Sequence, residues 1–395
     1  MIRAVLFWLL MSSAAVAQNF TGLARVDSAE SRVVDTADGI DLTLALSQIV
    51  PYRVFTLEAP ERLVLDFREV NWGDLDTQDF DQAERVTNVS FGQLRPGWSR
   101  MVLELSEPMF LNLASATIED TDATAVVEIS LHRTDSDTFA ALSGSPVDPQ
   151  WGDLFAAPTL QAPNQDDDTL VVVVDPGHGG IDPGAEHGGV TEADLMLTLG
   201  IEVAEALNRL DRVEAILTRV SDDFVPLNTR MTIARQNNAD LLISLHADAL
   251  EEGQARGGSV YTLSDEAASV AARRMAERHQ RGDLIAGLDL TEQDDRVASV
   301  LMDLARAKTG PEGVRFAEAL VANLMENDVR LHRNSLRQGP LAVLNAADFA
   351  SVLFEVGYLS NDRDRSILLN EDTRKPIVDA LAQAVSDWSA MRRLR

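Results

Sequence analysis

Four residues of this chain have the types and settings for hydrolytic metal chemistry: His178, Glu192, His246 and Glu355. The chain has six histidines and no cysteine, so imidazole and carboxylate are the donors on offer and thiolate is not. A hydrolytic zinc site takes three protein ligands and keeps a fourth position open. His178, Glu192 and His246 are the candidate ligands for Zn2+. Glu355 ends the apolar run Val352-Leu353-Phe354, where a lone carboxylate is costly. Its natural task there is proton transfer, as base toward an attacking water and then as acid toward a leaving amine. Taken singly, each residue has a plainer reading. A histidine at a strand end is often a hydrogen-bonded structural residue. Glu192 is an ordinary helix N-terminal acid, favoured by the dipole, and Glu355 a salt-bridge partner. The glycine-rich stretch 177–189 resembles a phosphate cradle, but it holds a histidine and no Gly-Lys-Ser/Thr signature. Taken together, the four are less easily explained as coincidence.

The elements that must position them are legible. Leu170 to Asp175 reads as a buried strand opening into the glycine-rich turn that carries His178. Asp240 to His246 is a second apolar strand ending on a histidine. Thr191-Glu192-Ala193-Asp194 looks like a capping box opening a helix to about Leu210. The pattern then gives a strand at 213–218, a helix at 226–237 and a strand at 259–263. Helical patterns follow at 265–281, 296–308 and 312–329, strands at 341–344 and 351–356, and a last helix at 372–391. This alternation predicts an α/β domain, a mixed or parallel sheet with helices on both faces. In such sheets the strand ends are where chemistry is placed.

Upstream the chain is different. Residues 20–135 are β-rich, with strands expected at 62–67, 101–105 and 126–131 between turn signals, and predict a small β-sandwich. Prolines at 146, 149, 158 and 163 and the run Gln165-Asp166-Asp167-Asp168 mark 136–168 as a solvated, extended linker. Residues 169–391 follow as the second domain. Met1-Ile2-Arg3, the apolar run to Ala17 and Ala15-Val16-Ala17 before Gln18 read as a cleaved export signal, expected over residues 1–17. That run is too short to span a bilayer. The net charge of -29 argues against a nucleic-acid partner. The lack of cysteine excludes disulfides and a cysteine nucleophile.

Val174-Asp-Pro-Gly-His-Gly-Gly-Ile-Asp-Pro-Gly-Ala185, Glu192, Thr218-Arg219, Arg230, Ile243-Ser-Leu-His-Ala-Asp-Ala249 and Phe354-Glu-Val-Gly-Tyr-Leu-Ser-Asn361 together resemble the zinc-dependent N-acetylmuramoyl-L-alanine amidases of the third type. These are the cell-separation amidases of Gram-negative bacteria. The resemblance covers about Leu170 to Trp388. Residues 51–67 resemble the AMIN domain, a β-sandwich that binds peptidoglycan ahead of such amidases. The resemblance implies that His178, Glu192 and His246 hold zinc and that Glu355 is catalytic. It implies cleavage of the amide between the lactyl group of N-acetylmuramic acid and L-alanine, in the periplasm. Two other readings share parts of this pattern: a non-catalytic wall-binding protein, and a zinc peptidase acting on the stem peptide. Arg219 and Arg230 read as structural ion-pair residues. His279 and His332 read as structural, and the role of His187 stays open.

The chain departs from the family's short members after the glutamate ligand, where Ala193-Asp194 stands in place of a lysine. It is also long between Leu263 and Pro340. Longer family members carry there a helix that blocks the zinc until a LytM-type periplasmic activator binds. Val297, Val300, Leu301 and Leu304 recur at helical spacing after the acidic patch Glu292-Gln293-Asp294-Asp295. Residues 287–309 are therefore the expected regulatory segment. Asp295, then Asp294 and Glu292, are its candidate blocking carboxylates; without the resemblance this is an ordinary surface helix.

Overall fold

The computed structural model describes residues 24–68, 70–95, 97–118, 124–146, 169–249, 256–264, 282–283, 286, 299–346 and 348–393. The expected export signal, the helical pattern at 265–281 and the acids Glu292, Asp294 and Asp295 lie outside them. Among the described residues no helix is long and apolar enough to cross a membrane.

The N-terminal part is a sandwich of two sheets. One has the spatial order Met109–Ile118, Ala125–Arg133, Gly39–Leu46, Arg32–Asp35, Asp81–Gln82. The other has the order Tyr52–Leu57, Arg62–Arg68, Trp98–Leu105, Val86–Arg95. Strand alternation builds the core between them. Ile40, Leu42, Leu44 and Leu46 point inward, where they meet Leu63, Leu65, Phe67, Met101 and Leu103. The four-stranded sheet is buried on its other face too, so Arg62–Phe67 shows no exposed alternate residue. Phe55, Val64, Leu94, Trp98 and Val102 on that face cluster with Ile181, Phe224 and Ala286 from the C-terminal part. Arg100, also on that face and buried, donates to Asp66 Oδ1 at 2.5 Å and to the Ala286 carbonyl at 2.6 Å.

The linker expected over 136–168 does not begin as extended chain. Ser136–Leu142 is a helix, capped by the Asp135 carboxylate accepting from Thr138 N–H at 2.9 Å, and Phe139 is buried. A good N-cap and one apolar anchor outweigh the polar composition of this stretch. Residues 147–168 lie outside the described chain.

The C-terminal part is the expected α/β class. Its sheet has the order Val213–Leu217, Leu170–Pro176, Leu241–His246, Ala350–Glu355, Gly258–Leu263, Leu331–Gly339. The first four strands are parallel, and Gly258–Leu263 runs antiparallel to Ala350–Glu355. Buried on both faces, the central strands are continuous apolar runs. Val172, Val174, Ile243, Val352 and Phe354 pack under helices Glu192–Leu207, Ser299–Glu326 and Glu371–Arg393. The alternate residues Val173, Leu242 and Leu353 pack with Met231 and Ala234 of helix Leu227–Gln236 on the other face.

Several expected elements differ. The patterns at 296–308 and 312–329 belong to one helix, Ser299–Glu326, which runs through Pro311. Proline removes one intrahelical hydrogen bond, but Phe316, Ala317, Leu320 and Leu324 beyond it are fully buried, and that packing keeps the helix going. The strand expected at 341–344 is a 3-10 turn, Ala342–Leu344, with Leu344 N–H donating to the Leu341 carbonyl at 3.0 Å. Its apolar residues come from packing under the sheet, not from pairing in it. The edge strand Leu331–Gly339 was not foreseen, because its sequence is polar and mostly exposed or half-buried. Helix Asp362–Leu369 was also not foreseen; Asn361 caps it by accepting from Arg363 and Asp364 N–H.

One buried carboxylate ties this sheet together at the strand ends. Asp175 accepts from Thr218 Oγ1 at 2.6 Å, Ser244 Oγ at 2.7 Å and Arg230 Nη1 at 2.8 Å. Burial pushes its pKa up, but Arg230 and the two hydroxyls outweigh this and hold it below its ordinary 3.8. Its ionised form therefore stabilises the fold above that ordinary value, and this is lost as pH falls through the depressed folded value. Asp175→Ala leaves the Arg230 charge buried without its partner. We expect a loss of about 3–5 kcal/mol in urea unfolding at pH 7, with a smaller difference from the parent at pH 3.

Candidate metal centre

His178 and His246 reach one point from adjacent parallel strands. Val172↔Leu241 and Asp175↔Ser244 set the register, so the chain leaving Pro176 runs beside the end of Leu241–His246. Gly177 makes the turn possible: a Cβ there would sit 2.3 Å from the His246 ring. His178 takes a left-handed backbone with φ 59°, which swings its ring back over the strand ends. Two arginines fix this turn through its carbonyls. Arg219 donates to Pro176, Gly177 and Ala193 oxygens at 3.0, 2.8 and 2.7 Å. Arg230 donates to Pro176 and His178 oxygens at 2.7 and 2.8 Å and pairs with Asp175. Arg230 is thus an ion-pair residue. Arg219 works on carbonyls; burial, with Arg230 nearby, brings its pKa down to about 10.

Glu192 arrives from the third direction as the first residue of helix Glu192–Leu207, whose N-cap Thr191 accepts from Asp194 N–H. Its carboxylate is held at both oxygens. Oε2 accepts from Ala185 N–H at 2.9 Å, and Oε1 from Ala247 N–H at 2.8 Å. Oε1 lies 3.0 Å from His246 Nδ1 and 3.3 Å from His178 Nε2. Burial raises its pKa, but His178 and then His246 hold it well below the ordinary value. Burial likewise works against a charged His178, while Asp182 and Glu192 hold its imidazole well above the usual value.

The donor atoms of His178, Glu192 and His246 all lie within 4.8 Å of one another. Zinc bonds to nitrogen and oxygen are about 2.0–2.2 Å, which puts tetrahedral ligand atoms roughly 3.4 Å apart. The separations of 3.0 and 3.3 Å to Glu192 Oε1 are close to that edge. Two imidazoles and a carboxylate, without thiolate, are a donor set that zinc accepts in hydrolases. The residues therefore fit the ion.

Glu355 lies next to this cluster and outside it. It is the register partner of His246, fully buried, with Oε2 accepting from Asp248 N–H at 3.2 Å. Burial, with the Glu355 charge next in size, pushes Tyr261 up to about 12 and raises Tyr358 as well. His187 is exposed on the hairpin Glu186–His187/Val190–Thr191 and is not part of the cluster. His332 hydrogen-bonds Arg337, and His279 lies outside the described residues.

Two residues were missed from the sequence. Asp182 Oδ2 lies 2.8 Å from His178 Nδ1, which turns Nε2 toward Glu192. The signal was present, an aspartate four residues after the histidine in the quoted turn. Asp248 lines the adjoining cavity and braces Glu355 through its N–H; it follows His246 by two residues.

A family model described as N-acetylmuramoyl-L-alanine amidase matches residues 172–387. The chain belongs to that amidase family. A model of the AMIN domain matches residues 31–137. The amidase AmiC of Neisseria meningitidis is 29% identical over 361 residues, covering 88% of this chain and 86% of that protein. The amidase AmiA of Escherichia coli K12 is 35% identical over 220 residues, 55% of this chain and 75% of that protein. The solved amidase AmiC2 of Nostoc punctiforme is 26% identical, covering 55% of this chain and 96% of that chain, with a TM-score of 0.42.

The Asp182 contact sets a test within the amidase site. An acid hydrogen-bonded to the far nitrogen of a ligand histidine fixes its ring and raises its basicity. Were His178 to hold zinc, Asp182→Ala would weaken zinc binding about 10–100-fold in a competitive chelator titration; the metal-free protein should lose about 1–3 kcal/mol in urea unfolding, because Gly184 N–H and His178 Nδ1 lose a buried acceptor.

Proposed function

We propose that this protein is a zinc-dependent peptidoglycan amidase, cleaving the amide between the lactyl group of N-acetylmuramic acid and L-alanine of the stem peptide. The observation that carries this is the convergence of His178 Nε2, His246 Nδ1 and Glu192 Oε1, with Glu355 beside them, in a chain of this family. When bound by these three residues, zinc supplies Lewis acidity toward the scissile carbonyl oxygen and a water molecule.

The chain's own residues do the rest. Ala185 and Ala247 N–H groups keep Glu192 aimed, so it acts as a fixed ligand. Asp182 orients His178. Glu355 takes a proton from the attacking water and delivers it to the leaving amine of alanine. The Asp248 N–H holds its carboxylate at the strand end for this transfer.

In this reading residues 1–17 direct export to the periplasm, 20–135 bind peptidoglycan, and 169–391 carry the chemistry in daughter-cell separation. Residues 287–309 restrain the resting enzyme. A carboxylate of Asp295, Asp294 or Glu292 would occupy the open ligand position, and a LytM-type activator would withdraw it. The acidic patch followed by helical sequence supports this, and a helix is described from Ser299 onward.

Mass spectrometry of sacculi digested by the zinc-loaded full chain separates the readings. Glycan strands freed of whole stem peptides support the amidase; trimmed stem peptides would indicate a peptidase, and unchanged sacculi a non-catalytic binder. In the same assay His246→Ala should lose zinc and activity together. Glu355→Ala should keep one zinc per chain and lose at least about a hundredfold in turnover. Stoichiometric zinc in His246→Ala would remove it from the ligand set. Replacing Glu292, Asp294 and Asp295 together with alanine should raise basal turnover without an activator. A folded, zinc-loaded triple variant with unchanged basal turnover would leave the segment an ordinary surface element.

A further inference from the structure

The N-terminal sandwich is not held away from the catalytic sheet. Its edge strand Val86–Arg95 lies against the turn that carries His178. Leu94 offers its carbonyl to Phe224 N–H at 3.2 Å across the free edge of the sheet. Gly180, two residues after His178, has φ +60°, and a Cβ on it would meet the Gln93 carbonyl at 2.0 Å. Behind this contact the apolar cluster joins Leu94, Trp98 and Val102 to Ile181 and Phe224. The buried Arg100 guanidinium reaches the Ala286 carbonyl from the same sheet face. An edge strand is thus covered by loops of the other domain, and the two parts meet through an apolar patch, a backbone hydrogen bond and a charged donor.

Beside that contact the two parts line an open cleft of about 550 Å³. One wall is catalytic and acidic, with His178, Asp182, Glu192 and Asp248. The other wall belongs to the sandwich: Asn88, Ser90 and Phe91 of the edge strand, with Thr77. Its volume is in the range of small-molecule sites. The sandwich wall offers amide and hydroxyl groups, and half-buried Phe91 adds apolar surface. Among the described residues lining the cavity there is no lysine or arginine. A stem peptide carries carboxylates, which that lining would repel. A sugar with hydroxyl and acetamido groups is matched by neutral donors and acceptors that cost little to desolvate in pairs.

We propose that the edge strand Val86–Arg95 is the second wall of the substrate cleft, with Asn88 and Ser90 binding the glycan of the muropeptide next to the metal centre. This rests on the amidase reading of that centre. The N-terminal domain then contributes to the Michaelis complex itself. Asn88 and Ser90 hold a neutral sugar, and the scissile amide extends from it toward His178, Glu192 and His246. Asn88 Nδ2 donates to Ser90 Oγ at 3.2 Å and Glu104 Oε1 at 3.0 Å, which fixes the amide and leaves its Oδ1 to accept from, and the Ser90 hydroxyl to donate to, the sugar.

The test uses the full chain and two probes. One is N,N′-diacetylchitobiose, a neutral disaccharide with the hydroxyl and acetamido groups of the glycan, no lactyl carboxylate and no amide bond to alanine for the enzyme to cleave. The other is the free stem tetrapeptide. By calorimetric titration the Asn88→Ala/Ser90→Ala double variant should bind the disaccharide about tenfold more weakly, the size of losing one or two hydrogen bonds. Tetrapeptide binding and zinc content should not change. With the intact soluble muropeptide KM should rise by about the same factor at a kcat within about twofold, since the lost contacts serve ground and transition states alike. Ser90→Trp, which fills the cavity from the same strand, should weaken disaccharide binding at least as much. Disaccharide binding equal to the parent in both variants overturns the proposal, and so does a parent chain that does not bind the disaccharide. A parent that binds the disaccharide through Asn88 and Ser90 but leaves the muropeptide uncut overturns the amidase reading and leaves the glycan wall standing.

Discussion

The Asp175 carboxylate is the point on which the catalytic half depends. It sits at the end of the strand that precedes His178, with a hydroxyl from each neighbouring strand end and the Arg230 guanidinium upon it. Arg230 in turn grips the carbonyls of Pro176 and His178. One ion pair therefore converts the regular geometry of the sheet into a fixed position for a histidine that has left the sheet. A buried pair is weak evidence for net stability, but breaking it leaves a charge stranded. Its service here is geometric, because the turn it holds has few side chains of its own to pack.

Glu192 shows the same logic at the metal centre. Backbone N–H groups from two separate segments, at Ala185 and Ala247, fix its two oxygens independently of any ion. Asp182 does the same for His178. Glu192 and His178 are thus arranged by the fold, and a metal entering between them and His246 would have little reorganisation to drive.

Much of this was legible in the sequence where chemistry and periodicity coincide. Val171 to Val174 and Leu241 to Leu245 are runs that only a doubly covered strand explains, and each delivers a histidine at its end. The capping pattern at Thr191 located Glu192 at a helix start. Legibility failed where tertiary packing decides. The run 341–344 has strand composition, yet its apolar side chains are spent beneath the sheet. Pro311 and Gly310 mimic a boundary that buried Phe316 and Leu320 override. Leu331–Gly339 looks like loop because one edge and much of one face remain wet. The outer face of the four-stranded sheet was the largest omission. Val64 and Val102 stand on expected strands, but nothing in their spacing says that they cover a neighbour. Residue spacing shows that a side chain is buried without showing by what.

The buried Arg100 has a bearing on how such chains can be recombined. Its guanidinium is satisfied half from within its own sandwich, by Asp66, and half by the Ala286 carbonyl of the other part. A sandwich grafted from a relative would bring its own residues to that face, and a catalytic domain grafted alone would bare Ile181 and Phe224 to water. Exchange across this boundary is therefore not the swapping of beads on a string. The two halves are matched surfaces, and a chimera inherits a seam that must be redesigned on both sides at once.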